Sequence, residues 1–192
     1  MSPDKVKLPE IMVVAGPNGG GKSTITRMAR TVGAYINADD IKRACLCSDL
    51  EAAQKAESLR ETMLARRYDF TFETVLSTER NLNLLQRAKK NGYFVRGIYV
   101  LTANSDINVA RVRAREALGG HGVPEDKIRT RYEKALLLIP EFIATCDIVH
   151  LYDNTIEPFR IFKKRKDCYF YWENSYWNVF KIEKLTGISD YR

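Results

Sequence analysis

The apolar positions of this chain fall into short blocks whose period keeps switching between strand-like and helix-like. Ile11-Met12-Val13-Val14-Ala15 is a continuous apolar run and predicts a short strand buried on both faces, while from Ser23 to Arg30 the pattern becomes helical. Ala34-Tyr35-Ile36-Asn37 predicts a second strand, with Asp39 or Asp40 placed to cap the helix after it. Between Asp49 and Arg67, the residues Leu50, Ala53, Ala56, Leu59, Met63 and Leu64 give a mostly helical pattern among many charges. Asp69 to Thr74 is β-rich, and Leu82, Leu84, Leu85 and Ala88 predict a helix from Glu79 to Asn91 that Gly92 ends.

Tyr93 to Leu101 is the longest strand candidate. Ser105 or Asp106 can cap a helix that runs to Leu118 and ends at Gly119-Gly120; Pro124 opens another that extends to Thr145; Cys146 to Tyr152 supplies a fifth strand. Such alternation implies an α/β fold, a mostly parallel sheet with helices on both faces. The tail differs: Phe159 to Phe162 and Cys168 to Trp172 predict two strands joined by Lys163-Lys164-Arg165-Lys166, and Tyr176, Trp177 and Phe180 a closing helix. β-Propensity and burial account for its aromatic residues as core beside a solvated hairpin tip. The chain divides as one domain over 1–192, with a core at 10–153 and an aromatic-rich C-terminal extension at 154–192.

Between the first strand and the first helix lies Gly16-Pro17-Asn18-Gly19-Gly20-Gly21-Lys22-Ser23-Thr24, a full match to G-x-x-x-x-G-K-[ST] in the context the motif requires. The glycines let the backbone curl so that several N–H groups face inward, and the helix start adds its own free donors. The loop therefore predicts a P-loop NTPase-type sheet that binds ATP. Lys22 would reach the β and γ phosphates, Ser23 would ligate Mg²⁺ and Thr24 would support an α-phosphate contact.

In parallel sheets of this kind the ligand lies beyond the carboxyl ends of the strands, which puts the loop, Asp39 and Glu73 on one rim. Transfer of a phosphoryl group to a hydroxyl needs a carboxylate to orient or deprotonate it, and cations to offset the moving charge. Asp39 is the candidate base, with Asp40 assigned to the helix cap; Glu73 could bind the acceptor or hold a metal-bound water. The glycines between the helices on either side of His121 suit a lid that brings Arg115, His121 or Arg131 onto the phosphates. On a helix Arg111 and Arg115 share a face while Arg113 points elsewhere, so the three cannot form one clamp.

Charge and cysteine content add little specificity. The 31 Lys and Arg against 24 Asp and Glu give a formal +7, which favours anionic partners without separating nucleotide from nucleic acid. The four cysteines show no metal-site spacing and read as reduced residues of a cytoplasmic protein. No apolar run approaches the roughly 18–20 residues a membrane span requires.

The loop, together with Ile36-Asn37-Ala38-Asp39, Phe72-Glu73-Thr74-Val75-Leu76-Ser77 and Arg115 to Pro124 followed by Arg131-Tyr132, resembles the zeta-toxin family of small P-loop kinases. That resemblance implies phosphorylation of a sugar hydroxyl of UDP-N-acetylglucosamine by ATP, and a cognate antitoxin protein as partner. It also implies Asp39 as the acid that activates the hydroxyl, Glu73 as a substrate-binding acid and Arg115 as a phosphate-contacting arginine. His121 stands near the place of a second such arginine. Two other readings keep the fold: transfer to a nucleic-acid end, drawing on the net charge and the aromatics from Tyr169 to Trp177, and an ATP-binding regulatory module without transfer.

Overall fold

The computed structural model describes residues 7–120 and 122–189, so the expectation for His121 lies outside the described residues. At its centre are seven strands: β1 (Glu10–Ala15), β2 (Ala34–Ile36), β3 (Phe70–Thr74), β4 (Phe94–Leu101), β5 (Ile148–Asp153), β6 (Phe159–Arg165) and β7 (Cys168–Tyr171). They form one sheet in the order β2-β3-β1-β4-β5-β6-β7. The first five are parallel, and β6 and β7 add on antiparallel beyond β5. The expected five strands are thus extended by the hairpin of the tail.

The run Ile11 to Ala15 is apolar throughout because β1 sits between β3 and β4 with a core on each side. Ile11, Val13 and Ala15 join the larger core, and Met12 and Val14 the smaller one. The helices are α1 (Lys22–Met28), α2 (Ala38–Cys45), α3 (Asp49–Ala65), α4 (Arg80–Lys90), α5 (Ser105–Ala117), α6 (Glu125–Leu137), α7 (Ile139–Thr145) and α8 (Val179–Thr186). The larger core takes Leu64 of α3, Leu82 and Leu85 of α4, Phe142 of α7 and Ile182 of α8. The smaller core is Met12, Val14, Ile98 and Val100 under Ile25 of α1. Val109 and Val112 of α5 pack on Ile128 of α6 as a separate small cluster.

Three local expectations change. The cap of α2 is Asn37, whose side chain accepts from the Asp39 N–H, so Asp39 and Asp40 both lie in the first helical turn. The cap of α5 is Asn104, not Ser105 or Asp106. The single helix expected from Pro124 to Thr145 is two, because Pro140 has no N–H for the Leu136 carbonyl, which Leu138 takes instead, and the chain restarts as α7.

The tail aromatics separate by strand alternation. Tyr169 and Tyr171 pack against the larger core, where the Phe162 ring lies 6.2 Å from Tyr169 and 5.4 Å from Tyr171. Trp177 is buried there too, while Phe170 and Trp172 face the other way and are only half-buried. Since Phe162 is fully buried, Phe162→Ala should cost about 3–5 kcal/mol. Urea denaturation followed by circular dichroism should show a lower midpoint and still a single transition.

Candidate active site

The phosphate-binding loop is set by backbone packed directly on backbone. The Gly16 N–H donates to the Thr74 carbonyl at 3.1 Å as the chain leaves β1. A Cβ on Gly16 would fall 2.0 Å from the Val100 carbonyl oxygen, and one on Gly21 would fall 2.0 Å from Asn154 Nδ2. Gly21 also has φ +96°, in the left-handed region, where it turns the loop into α1. The Asn154 side chain, just past β5, donates to the Gly20 carbonyl at 2.8 Å. Pro17 is buried, Asn18 and Gly19 are half-buried, and Ser23 and Thr24 are exposed at the start of α1.

This cradle fits a triphosphate. Its glycines leave no Cβ in the way, Lys22 projects from its end, and the Ser23 hydroxyl is an oxygen donor of the kind Mg²⁺ prefers. The Lys22 ammonium donates to the Gly16 carbonyl at 2.8 Å and to that of Pro17 at 3.2 Å. Burial pushes its pKa down; Glu73 and Asp39 push it back up, and Arg115 adds to the lowering. The four side chains singled out from widely separated stretches of sequence therefore share one electrostatic field. Asp39 is exposed and Glu73 half-buried.

Glu73 is held in place by hydroxyls. Its Oε1 accepts from Thr26 Oγ1 at 2.6 Å and from the Tyr35 hydroxyl at 2.8 Å. Asn37 Nδ2 donates to the same tyrosine oxygen at 3.0 Å. The Tyr35 pKa is raised, first by burial and then by Glu73, so the phenol stays protonated and remains a donor at neutral pH. Thr26 and Tyr35 were not singled out from sequence. One lies in helix pattern and the other in strand pattern, and nothing in either pattern marks a hydroxyl aimed at a carboxylate.

The lid arginines divide as their helical positions require. Arg113 pairs with Glu125, and Arg129 with Asp106 at 2.6 Å and Glu125 at 2.8 Å, so these hold α5 to α6. Arg111 donates to the Thr155 carbonyl at 3.0 Å. Arg131 reaches the loop, with its guanidinium 3.4 Å from Asn18 Oδ1. Asn108 donates to the Asn18 carbonyl, and the Tyr132 hydroxyl to the Thr102 carbonyl at 2.7 Å. Among the described residues no group of three or more His, Cys, Asp or Glu could hold a metal by itself.

The family model described as Zeta toxin matches residues 2–174. The chain belongs to the zeta toxin family. As a member of that family it is a P-loop phosphotransferase. A Haemophilus influenzae protein described only as uncharacterized is 32% identical over 123 residues, which is 61% of this chain and 88% of the relative. Among solved structures, one from the PezAT chromosomal toxin–antitoxin system of Streptococcus pneumoniae superimposes with a TM-score of 0.60 at 18% identity, over 84% of this chain and 74% of that one. The AvrRxo1-ORF1:ORF2 complex solved with ATP gives 0.67 at 15% identity, over 94% of this chain and 64% of that one. At such identities the shared property is the fold.

For this zeta toxin family member, Asn154→Ala should weaken nucleotide binding because it strips a buried carbonyl in the loop of its donor, a loss of about 1–3 kcal/mol. Calorimetric titration with a non-hydrolysable ATP analogue should show an affinity lower by roughly 5- to 150-fold.

Proposed function

We propose that the protein is an ATP- and Mg²⁺-dependent kinase that transfers the γ-phosphate to a hydroxyl of a small acceptor, of which nucleotide sugars such as UDP-N-acetylglucosamine are the class to test first. The observation that carries this is that the charges of Glu73, Asp39 and Arg115 all act on Lys22, whose ammonium lies on the carbonyls of Gly16 and Pro17 in the phosphate loop. A nucleotide switch needs the loop, whereas carboxylates whose charge is felt at its lysine are what a hydroxyl acceptor needs.

In this reading Asp39 takes the proton of the acceptor hydroxyl as that oxygen bonds to the γ-phosphorus and the bond to ADP breaks. Its exposure at the start of α2 leaves it accessible to an incoming alcohol. Glu73, fixed through Oε1, accepts from a second acceptor group with its other oxygen. Lys22, Arg115 and Arg131 offset the charge on the phosphoryl group, and Ser23 holds Mg²⁺, which when bound neutralises the β and γ phosphates. The location consistent with this chemistry is the cytoplasm: the four cysteines are free, and no helix among the described residues is long and apolar enough to cross a membrane. Likeness to a toxin–antitoxin system supports a protein inhibitor as the macromolecular partner.

Incubation with labelled ATP and a panel of nucleotide sugars, nucleosides and short oligonucleotides should label a nucleotide sugar. Asp39→Asn should lower kcat by at least about 10²-fold while ATP affinity is unchanged. Normal turnover by the Asn variant would remove Asp39 as the base. Tyr35→Phe should act differently, raising the KM for the acceptor several-fold with a smaller change in kcat, because Glu73 keeps its charge and loses one of the hydroxyls that aim it. Steady-state kinetics with each substrate varied in turn separates the two.

A further inference from the structure

The side of the sheet bearing the smaller core is covered unevenly. That core comprises residues of β1, α1 and β4, joined at its edge by Tyr152 of β5, and contains none from β6 or β7. Beyond it, β5, β6 and the end of the hairpin present His150, Tyr152, Arg160, Lys163, Phe170 and Trp172, all only half-buried, with a register shift between Leu151 and Tyr152 bringing Arg160 and Lys163 to the same face. The pairing register sets His150, Lys163 and Phe170 in one row across three strands, and Tyr152 beside Arg160 in the next.

The rings form two near-parallel pairs. His150 and Tyr152 have centroids 6.3 Å apart with planes 10° apart, and Phe170 and Trp172 have centroids 6.3 Å apart with planes 22° apart. Cations lie over them: the Arg160 guanidinium is 4.4 Å from the Trp172 centroid, and Lys163 Nζ is 5.7 Å from that of Phe170. Neither Arg160 nor Lys163 pairs with a carboxylate among the described residues, and Arg160 Nε is buried without a hydrogen-bond partner. At this edge Glu10 is taken by Arg96 at 2.8 Å. The His150 pKa is pushed down to about 4, chiefly by burial and further by Arg160, Lys163 and Arg96.

From this juxtaposition we propose that the β5–β7 face docks single-stranded nucleic acid, whose phosphates meet Arg160 and Lys163 while its bases stack on Phe170 and Trp172. A sheet face with half-buried rings and interspersed cations offers partners for both things an unpaired strand carries, a π-face on every base and a charge on every linkage. An acidic peptide satisfies the cations and leaves the rings unmatched. A duplex satisfies them as well but hides its base faces. The proposal does not depend on which acceptor the kinase uses.

The test uses Trp177→Phe protein, which retains Trp172 as its one remaining tryptophan. Fluorescein-labelled 12-nucleotide RNA and DNA single strands, the matching duplex and a 12-residue polyglutamate are titrated at low salt, with anisotropy reporting binding and Trp172 emission reporting stacking. A single strand should bind and quench Trp172, with affinity falling as salt rises by a log–log slope of about −1.4 for two neutralised phosphates. Whichever of RNA or DNA binds tighter identifies the source. Adding Lys163→Glu or Phe170→Ala should each weaken binding about tenfold, with ATP affinity and the circular dichroism spectrum unchanged. Failure of both single strands to bind at low salt overturns the proposal. So does equal affinity for duplex or polyglutamate, or binding that Phe170→Ala leaves intact.

Discussion

The constraint on which the rest depends is the absence of space around the loop that follows β1. Its glycines are pressed against the carbonyl of Val100 at the end of β4 and the Asn154 side chain beyond β5. The loop is thereby shaped from outside by two neighbouring strands as much as by its own sequence. Those strands lie where they do because β1 is apolar on both faces and pairs on both edges. Central burial and the phosphate cradle are consequences of one strand placement.

Around that cradle the protein concentrates charge in a partly desolvated place. Lys22 is driven toward its neutral form by burial and restored by two carboxylates, one at the end of β3 and one at the start of α2. The parallel arrangement brings both to the same rim, since β2 and β3 run alongside β1 in the same direction. A carboxylate with an oxygen already occupied by Thr26 and Tyr35 has little freedom to rotate. Asp39, with its N–H secured by Asn37 and its side chain exposed, is positioned at the backbone and accessible at the carboxylate.

The C-terminal hairpin changes the balance of the sheet. By pairing antiparallel to β5 it extends the larger core through Phe162, Tyr169 and Tyr171, and α8 closes that side with Ile182. Among the described residues no matching layer covers the opposite side, and the outward residues of the same strands are half-buried. The tail is also tied to the rim: Asn174 donates to the buried Asp153 at 2.8 Å, and Asp153 accepts from the Thr155 N–H at 3.1 Å, beside the asparagine that braces Gly20.

Much of this was legible in the chain itself. The double-sided strand, the loop with its lysine, and the order of strands and helices follow from local pattern, because burial on two faces and tight turning each demand particular residue types in succession. The nearness of Asp39 and Glu73 to the loop also followed, through the geometry of parallel sheets. Contacts between distant segments were decided only by tertiary structure. Asn154 and Asn174 carried no signal in the sequence, and Thr26 and Tyr35 read as ordinary helix and strand positions, until packing aimed their polar atoms at Gly20, Asp153 and Glu73. The tail aromatics carry no mark of which of them would meet a core, since that depends on which side of an added hairpin the helices cover.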